Sequence, residues 1–299
     1  METIKSNKQI VNIIKDGGKK NLRSNFRQLI ERFFKRQEYD LNLVDKEIQK
    51  LIKSNATDDD IYAYIYEKLG KDYDASLGER SSSKVSDIVQ LIPSSNFTIK
   101  KFLDIGCKDG SNCVEARKVW KLEKDQVIGY DIIDDKALKT YVDEFTYIGP
   151  KDSKFNTGDK YYNGSNINEE NVDVAIAFAV LHHVSEKDIE KLMENIAKAV
   201  RKGGFFVIRE HDVKKEEQEL IQVIDIEHVI YSYLGGEKTL KEYKEENPEH
   251  SGNYYSQKEW DEFIEKYGFA KVKNFTLSKR LEEVNKYATR MYYATYIKL

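Results

Sequence analysis

The chain has 299 residues, 40% of them hydrophobic and 34% charged, with a net charge of −3. That is enough apolar material for a full-sized core, and no run of eighteen apolar residues offers a membrane span. The first residues lack the apolar stretch of a signal peptide, and the two cysteines, Cys107 and Cys113, have no partners at zinc-type spacing; a soluble protein of a reducing, cytoplasmic compartment is expected. The charge is uneven. Residues 1–53 hold thirteen Lys and Arg against seven Asp and Glu, a balance that either a nucleic-acid contact or a solvated helix face produces.

In chain order, Leu22, Phe26, Leu29, Ile30, Phe33 and Phe34 recur at helical spacing over residues 20–37, with Arg23, Arg27, Arg32 and Arg36 opposite. A second helix is predicted near 43–53. Thr57-Asp-Asp-Asp60 reads as a capping box opening a third through Leu69, on which Tyr62, Tyr64 and Tyr66 cannot all share one side. The polar stretch 71–80 closes this helical extension, assigned to residues 1–82. A domain over 83–299 follows, beginning with a helix near 81–92 that Pro93 stops.

From residue 101 the pattern alternates. Strands are predicted at 101–105, 126–130, 172–178 and 204–209, with a weak one near 145–148 or 160–163. Helices are predicted at 111–119, 134–140 and 186–200. Glu216–Leu234 reads as a long helix, and 235–254 as a polar loop or lid. Ser256-Gln-Lys-Glu259 is a capping box for a helix through Tyr267 that Gly268 closes. Residues 271–276 and 288–298 read as a last, hairpin-like pair of strands. The alternation predicts an α/β fold: a Rossmann-like sheet with helices on both faces, plus the N-terminal helical extension.

Ligands of such sheets bind beyond the carboxyl ends of the strands. The first strand runs into Asp104-x-Gly106-x-x-x-Gly110, and the second ends on Asp131. Turn glycines let a ligand approach the backbone, and a carboxylate after the second strand suits the two hydroxyls of a ribose. The turn is not G-x-G-x-x-G, and its opening aspartate would repel a pyrophosphate. It suits a ligand carrying positive charge, such as S-adenosylmethionine with its sulfonium and α-amino group. No P-loop motif is present.

At these residues the chain resembles the class I S-adenosylmethionine-dependent methyltransferases, especially the UbiE-like or type 11 branch. Asp173-Val-Ala-Ile-Ala-Phe-Ala-Val-Leu-His-His183 is similar to that family's fourth strand and its LHH ending. Lys202-Gly203-Gly204-Phe-Phe-Val-Ile-Arg209 is similar to its pGG turn and fifth strand. One departure is Lys108, where the family usually has glycine. The resemblance implies S-adenosylmethionine as cofactor, held by Asp104, Gly106, Cys107, Gly110, Asp131, Asn163 and Ala179. Asn163 falls in the region that meets adenine. One of His182 and His183 is expected to point inward and the other to cap the next helix. Tyr73 and Arg80 are weaker candidates for a lid.

The unusual tetrapeptide is Arg209-Glu210-His211-Asp212, at the end of the fifth strand. Methyl transfer needs alignment and, for a hydroxyl or amine acceptor, a destination for the proton. A histidine can take it, and a flanking carboxylate can fix its tautomer. His211, Glu210 and Arg209 are therefore the catalytic candidates. The alternative is an ion-pair network of Arg209 with Glu210 or Asp212. His211 and Asp212 lack further spaced ligands, so no metal is expected.

The leading expectation is methyl transfer to a small or medium-sized acceptor. The alternatives are an RNA cap-type methyltransferase steered by the basic N-terminal helices, and a catalytically silent cofactor-fold regulatory subunit, for which Lys108 speaks. The chain lacks the N/D-P-P-Y/F motif of amine methylation, and Cys107 lies inside the turn, not where a cytosine-attacking nucleophile would stand.

Overall fold

The computed structural model describes residues 10, 11, 13, 20–35, 39–69, 85, 89, 92, 97–131, 142–149, 167, 170–234, 253–272 and 291–299. Its contacts divide the chain into two compact units. One comprises 1–77, 213–250 and 286–290; the other comprises 78–212, 251–285 and 291–299.

The first unit is helical. Helices α1 (Lys20–Lys35), α2 (Leu41–Lys53) and α3 (58–69) each present an apolar stripe to a shared core that includes Phe26, Leu29, Phe34, Ile48 and Ile61. Asp40 caps α2, accepting from the Asn42 and Leu43 amides. The expected box at α3 is present: Asp60 accepts from the Thr57 N–H at 2.7 Å while its own N–H reaches the Thr57 hydroxyl. Tyr62 is buried, Tyr64 half-buried and Tyr66 exposed. A fourth helix, residues 218–234, packs Val223, Ile226, Val229 and Ile230 into the same core. That segment was expected within the 83–299 domain, yet its apolar stripe is buried among the N-terminal helices.

The second unit is the expected α/β sheet. Strands β1 (Phe102–Ile105), β2 (Val127–Tyr130), β3 (Thr146–Ile148), β4 (Val172–Phe178), β5 (Val200–His211), β6 (Phe269–Lys271) and β7 (Met291–Lys298) form one seven-stranded sheet. Their order is β3-β2-β1-β4-β5-β7-β6. The first five are parallel to one another, and β7 runs antiparallel to both β5 and β6. The weak strand is therefore 146–148; its rival at 160–163, like the helix expected at 134–140, lies outside the described residues. β5 is longer than predicted and starts at Val200, directly after helix Glu186–Ala199.

Side-chain alternation splits the core over the two sheet faces. Leu103, Ile105, Ala175, Phe206 and Ile208 meet Leu192 and Ile196 of α4 (Glu186–Ala199) and Trp260 and Ile264 of α5 (Gln257–Glu265). Phe102, Val174, Ile176, Phe205 and Val207 meet Cys113 and Ala116 of the helix Ser111–Trp120. Each fully buried side chain of this size contributes about 1.5–3 kcal/mol. Ser256 and Glu259 form the predicted capping box of α5, and Gly268 follows in a left-handed conformation at φ +78°.

At the amino end of the sheet, Asp173 ties β4 to its neighbours. Its carboxylate accepts from the Lys100 and Lys101 amides at 2.6 and 2.9 Å and from the Arg201 guanidinium at 2.5 Å. Asp173→Ala should lower stability by about 2–4 kcal/mol, because three part-buried donors lose one buried, charged acceptor. The midpoint of chemical denaturation checks this; a shift below 0.5 kcal/mol would show that the network is dispensable.

Candidate active site

The carboxyl ends of β1, β2, β4 and β5 bring most of the predicted site residues together. After β1 the backbone is left-handed at three alternate positions, Gly106 (φ +72°), Lys108 (φ +47°) and Gly110 (φ +77°). The turn is tied to β2: the Gly106 and Cys107 amides donate to the Tyr130 carbonyl at 2.8 and 3.1 Å, and the Lys108 amide donates to Asp131 Oδ2 at 2.8 Å. A side chain at Gly106 would be excluded twice. Its φ is unfavourable for L-residues, and its Cβ would stand 2.4 Å from Val180 Cγ2. The glycine requirement expected from a ligand's approach is thus also set by packing against the loop after β4. The departure at 108 is accommodated by a strained lysine whose side chain is exposed. An αL residue with a Cβ costs about 1–2 kcal/mol, and the bond to Asp131 offsets part of it.

Asp131 is 3% exposed, and its own N–H donates to the Ile148 carbonyl. Asp104 is also buried, beneath the turn, with Oδ2 3.9 Å from the Cys113 sulfur. Both cysteines are buried free thiols. Burial first, and then nearby negative charge that includes Asp104, pushes each well above the usual thiol range. They remain protonated and are not nucleophiles.

After β4 the chain turns at Ala179, a further left-handed position (φ +58°), half-buried, whose N–H donates to the Arg209 carbonyl at 2.7 Å. The next residues are held by Glu210, which is fully buried. Oε1 accepts from the Val180 and Leu181 amides at 3.1 and 2.8 Å, and Oε2 lies 2.5 Å from His182 Nδ1. The sequence makes Glu210 a catalytic candidate as a carboxylate flanking His211, or else an ion-pair partner of Arg209. Its oxygens instead serve three protein donors, since alternation along β5 turns it into the core. His182 is the inward histidine, 1% exposed, and His183 is exposed. The helix that follows is capped by the Ser185 hydroxyl, not by a histidine.

His211 is buried, its ring 5.1 Å edge-on from that of His182 and 5.9 Å from Tyr254. Tyr254 stacks on His182 at 5.3 Å, the Asn253 N–H donates to the His182 carbonyl at 2.8 Å, and the Asn253 amide group donates to the Val184 carbonyl. Residues 253 and 254, read from sequence as the end of a polar loop, are therefore part of the site's wall. Arg209 pairs with neither Glu210 nor Asp212. Its guanidinium lies 5.8 Å from the Tyr293 ring, and its buried Nε has no hydrogen-bond partner among the described residues. Asp212 accepts from the Gln257 amide at the start of α5. Tyr292 stands opposite Glu210 on β7, and burial, then that carboxylate, raises its hydroxyl pKa well above the ordinary value. Asn163, Tyr73 and Arg80 lie outside the described residues.

Residues 77–274 match a family model described as a methyltransferase domain. The chain belongs to that family. S-adenosylmethionine is the family's cofactor, and the sheet is the Rossmann-like methyltransferase fold. No curated protein matches the sequence. Among solved structures, an O-methyltransferase family protein from Burkholderia thailandensis is 11% identical with a TM-score of 0.48; the match covers 76% of this chain and 58% of that one. Magnesium protoporphyrin IX methyltransferase from Synechocystis PCC 6803, solved with S-adenosylhomocysteine bound, is 13% identical with a TM-score of 0.46, covering 77% and 86%. The chain thus spans under two thirds of the first of these proteins and most of the second.

The raised thiols give a pH dependence with a definite sign. The unfolded chain ionises them above about pH 8.5, and the folded protein does not. Their contribution to stability is complete below that pH and is lost as pH rises beyond it. Native protein at pH 9 should resist maleimide labelling at Cys107 and Cys113 and label fully in denaturant. Rapid native labelling at either position would place that thiol at the surface.

Proposed function

We propose that this chain is an active S-adenosylmethionine-dependent methyltransferase acting on a small or medium-sized acceptor. What supports the reading is one juxtaposition. Two left-handed, side-chain-poor backbones, Gly106 and Ala179, follow the adjacent strands β1 and β4, and the buried carboxylate Asp131 stands at the end of β2. These residues fit the cofactor. A carboxylate suits a vicinal diol, and bare backbone admits a flat, close-lying ligand. Asp131 would take the ribose hydroxyls. Gly106, Cys107, Gly110 and Ala179 would line the ligand through backbone. Asp104, lying under the turn, would act through its negative charge on the cationic end. Asn163 remains the candidate for adenine.

When bound, the cofactor supplies a methyl group on a sulfonium, ready for in-line displacement. The protein's part is to align an acceptor and to accept its proton. His211 is the candidate base and Arg209 a candidate acceptor contact. Among the described residues no helix is long and apolar enough to cross a membrane. On the basic helix Arg27 makes an exposed i,i+4 pair with Glu31 at 3.1 Å, and the side chains of Arg23, Arg32 and Lys35 are outside those described.

Calorimetry with S-adenosylhomocysteine should show binding by the wild type. Asp131→Ala should weaken it by about 3–6 kcal/mol, at roughly 1.5–3 kcal/mol for each of two bonds to a charged acceptor. Asp131→Asn, which keeps an acceptor for the Lys108 amide, should weaken it less. Wild-type affinity in both variants would misplace the pocket, and no binding by the wild type would favour a silent regulatory subunit.

Labelled-methyl transfer should occur to a small-molecule extract and not to total RNA; the reverse result would restore the RNA reading. With an acceptor in hand, His211→Ala should lower single-turnover methyl transfer about 10²–10⁴-fold and leave cofactor affinity within about twofold. An unchanged rate would leave alignment alone to explain catalysis.

A further inference from the structure

We infer that Glu210 is a positioning residue that sets the shape of the cofactor turn from the far side of the sheet's centre, through Val180. The inference rests on the cofactor reading above. It starts from the strained backbone at Ala179. A non-glycine residue at φ +58° persists only where its surroundings over-determine it, and here three bonds do so. The Ala179 amide is taken by the Arg209 carbonyl, and the Val180 and Leu181 amides by the Glu210 carboxylate. The two acceptors, the Arg209 carbonyl and Glu210 Oε1, belong to the last residues of β5, which pairs in register with β4 as far as Phe178 and Arg209.

The consequence reaches β1. Fixing the Val180 amide fixes its side chain, whose methyls occupy the space beside Gly106; a Cβ built there would lie 2.4 and 3.1 Å from them. Val180 is 6% exposed and Glu210 0%. The carboxylate therefore bears on the glycine turn without touching a ligand. Its two oxygens have separate tasks. Oε1 holds the loop, and Oε2 receives His182 Nδ1, which selects the Nδ1–H tautomer of that ring.

Two substitutions separate the tasks. Glu210→Gln keeps a carbonyl oxygen for the two amides but turns an NH₂ toward Nδ1, which must then give up its proton. Glu210→Asp shortens the side chain and withdraws from the loop. Val180→Ala removes the methyls beside Gly106 and leaves every hydrogen bond in place.

The test has two arms on the full chain. In the ligand-free protein, hydrogen exchange of the Val180 and Leu181 amides should be slow in the wild type and in Glu210→Gln, and at least tenfold faster in Glu210→Asp. Nitrogen-15 shifts should report His182 as the Nδ1–H form in the wild type and as the Nε2–H form in Glu210→Gln. In the second arm, S-adenosylhomocysteine affinity should fall about tenfold in Glu210→Asp and in Val180→Ala. It should fall no further in the double variant, because both act on one contact. Glu210→Gln should stay within about threefold. Additive losses in the double variant, or unchanged amide exchange in Glu210→Asp, would overturn the inference. If the wild type binds no S-adenosylhomocysteine, the cofactor reading fails, and the exchange and tautomer arm still decides whether Glu210 holds the loop.

Discussion

Two buried carboxylates hold two left-handed turns side by side, and the candidate site depends on that arrangement. Asp131 takes the Lys108 amide of the turn after β1, and Glu210 takes the Val180 and Leu181 amides of the turn after β4. Neither turn is made of residues that favour it throughout. Lys108 and Ala179 have φ of +47° and +58°, each costing on the order of 1–2 kcal/mol. A charged acceptor returns roughly 1.5–3 kcal/mol per bond to a buried amide, so the two buried bonds to Glu210 are large enough to hold the turn after β4, and the part-buried bond to Asp131 offsets part of the strain at Lys108.

The same arithmetic explains why lysine can stand at position 108. What the turn needs from that residue is an amide aimed at Asp131, and a left-handed residue of any kind provides it. Glycine would do so with less strain, but the lysine side chain leaves toward solvent, where its charge is screened by water. The departure from the family pattern is therefore an expense in backbone energy and not by itself an obstruction of the turn.

Much of the sheet was legible because its signals are local. The strand at 172–178 is apolar at six of its seven positions, and the Ser256–Glu259 box marks the start of its helix within one residue. β5 was read too short because Val200–Gly204 carries two glycines and two cations, which argue for a turn; β4 pairing at Val172–Val200 recruits the backbone regardless. The helix at 218–234 was visible as a helix, yet nothing in its own pattern says which core receives it. The Val180 contact with Gly106 was illegible for a like reason. It joins residues 74 positions apart, and a valine inside an apolar run carries no mark of its neighbour.

The tetrapeptide at the end of β5 shows how a polar cluster in sequence differs from one in space. A strand sends successive side chains to opposite faces. Arg209 leaves toward Tyr293, Glu210 turns under the β4 loop, His211 meets the rings of His182 and Tyr254, and Asp212 reaches the first amide of α5. Two carboxylates that looked like partners for Arg209 are thus taken by other elements, Asp212 by a backbone amide and Glu210 by two amides and the His182 ring. The candidate chemistry then narrows to Arg209 and His211, while Glu210 and Asp212 position the segments around them. Polar residues that gather at a strand end can define a site as much by holding its walls as by facing its ligand.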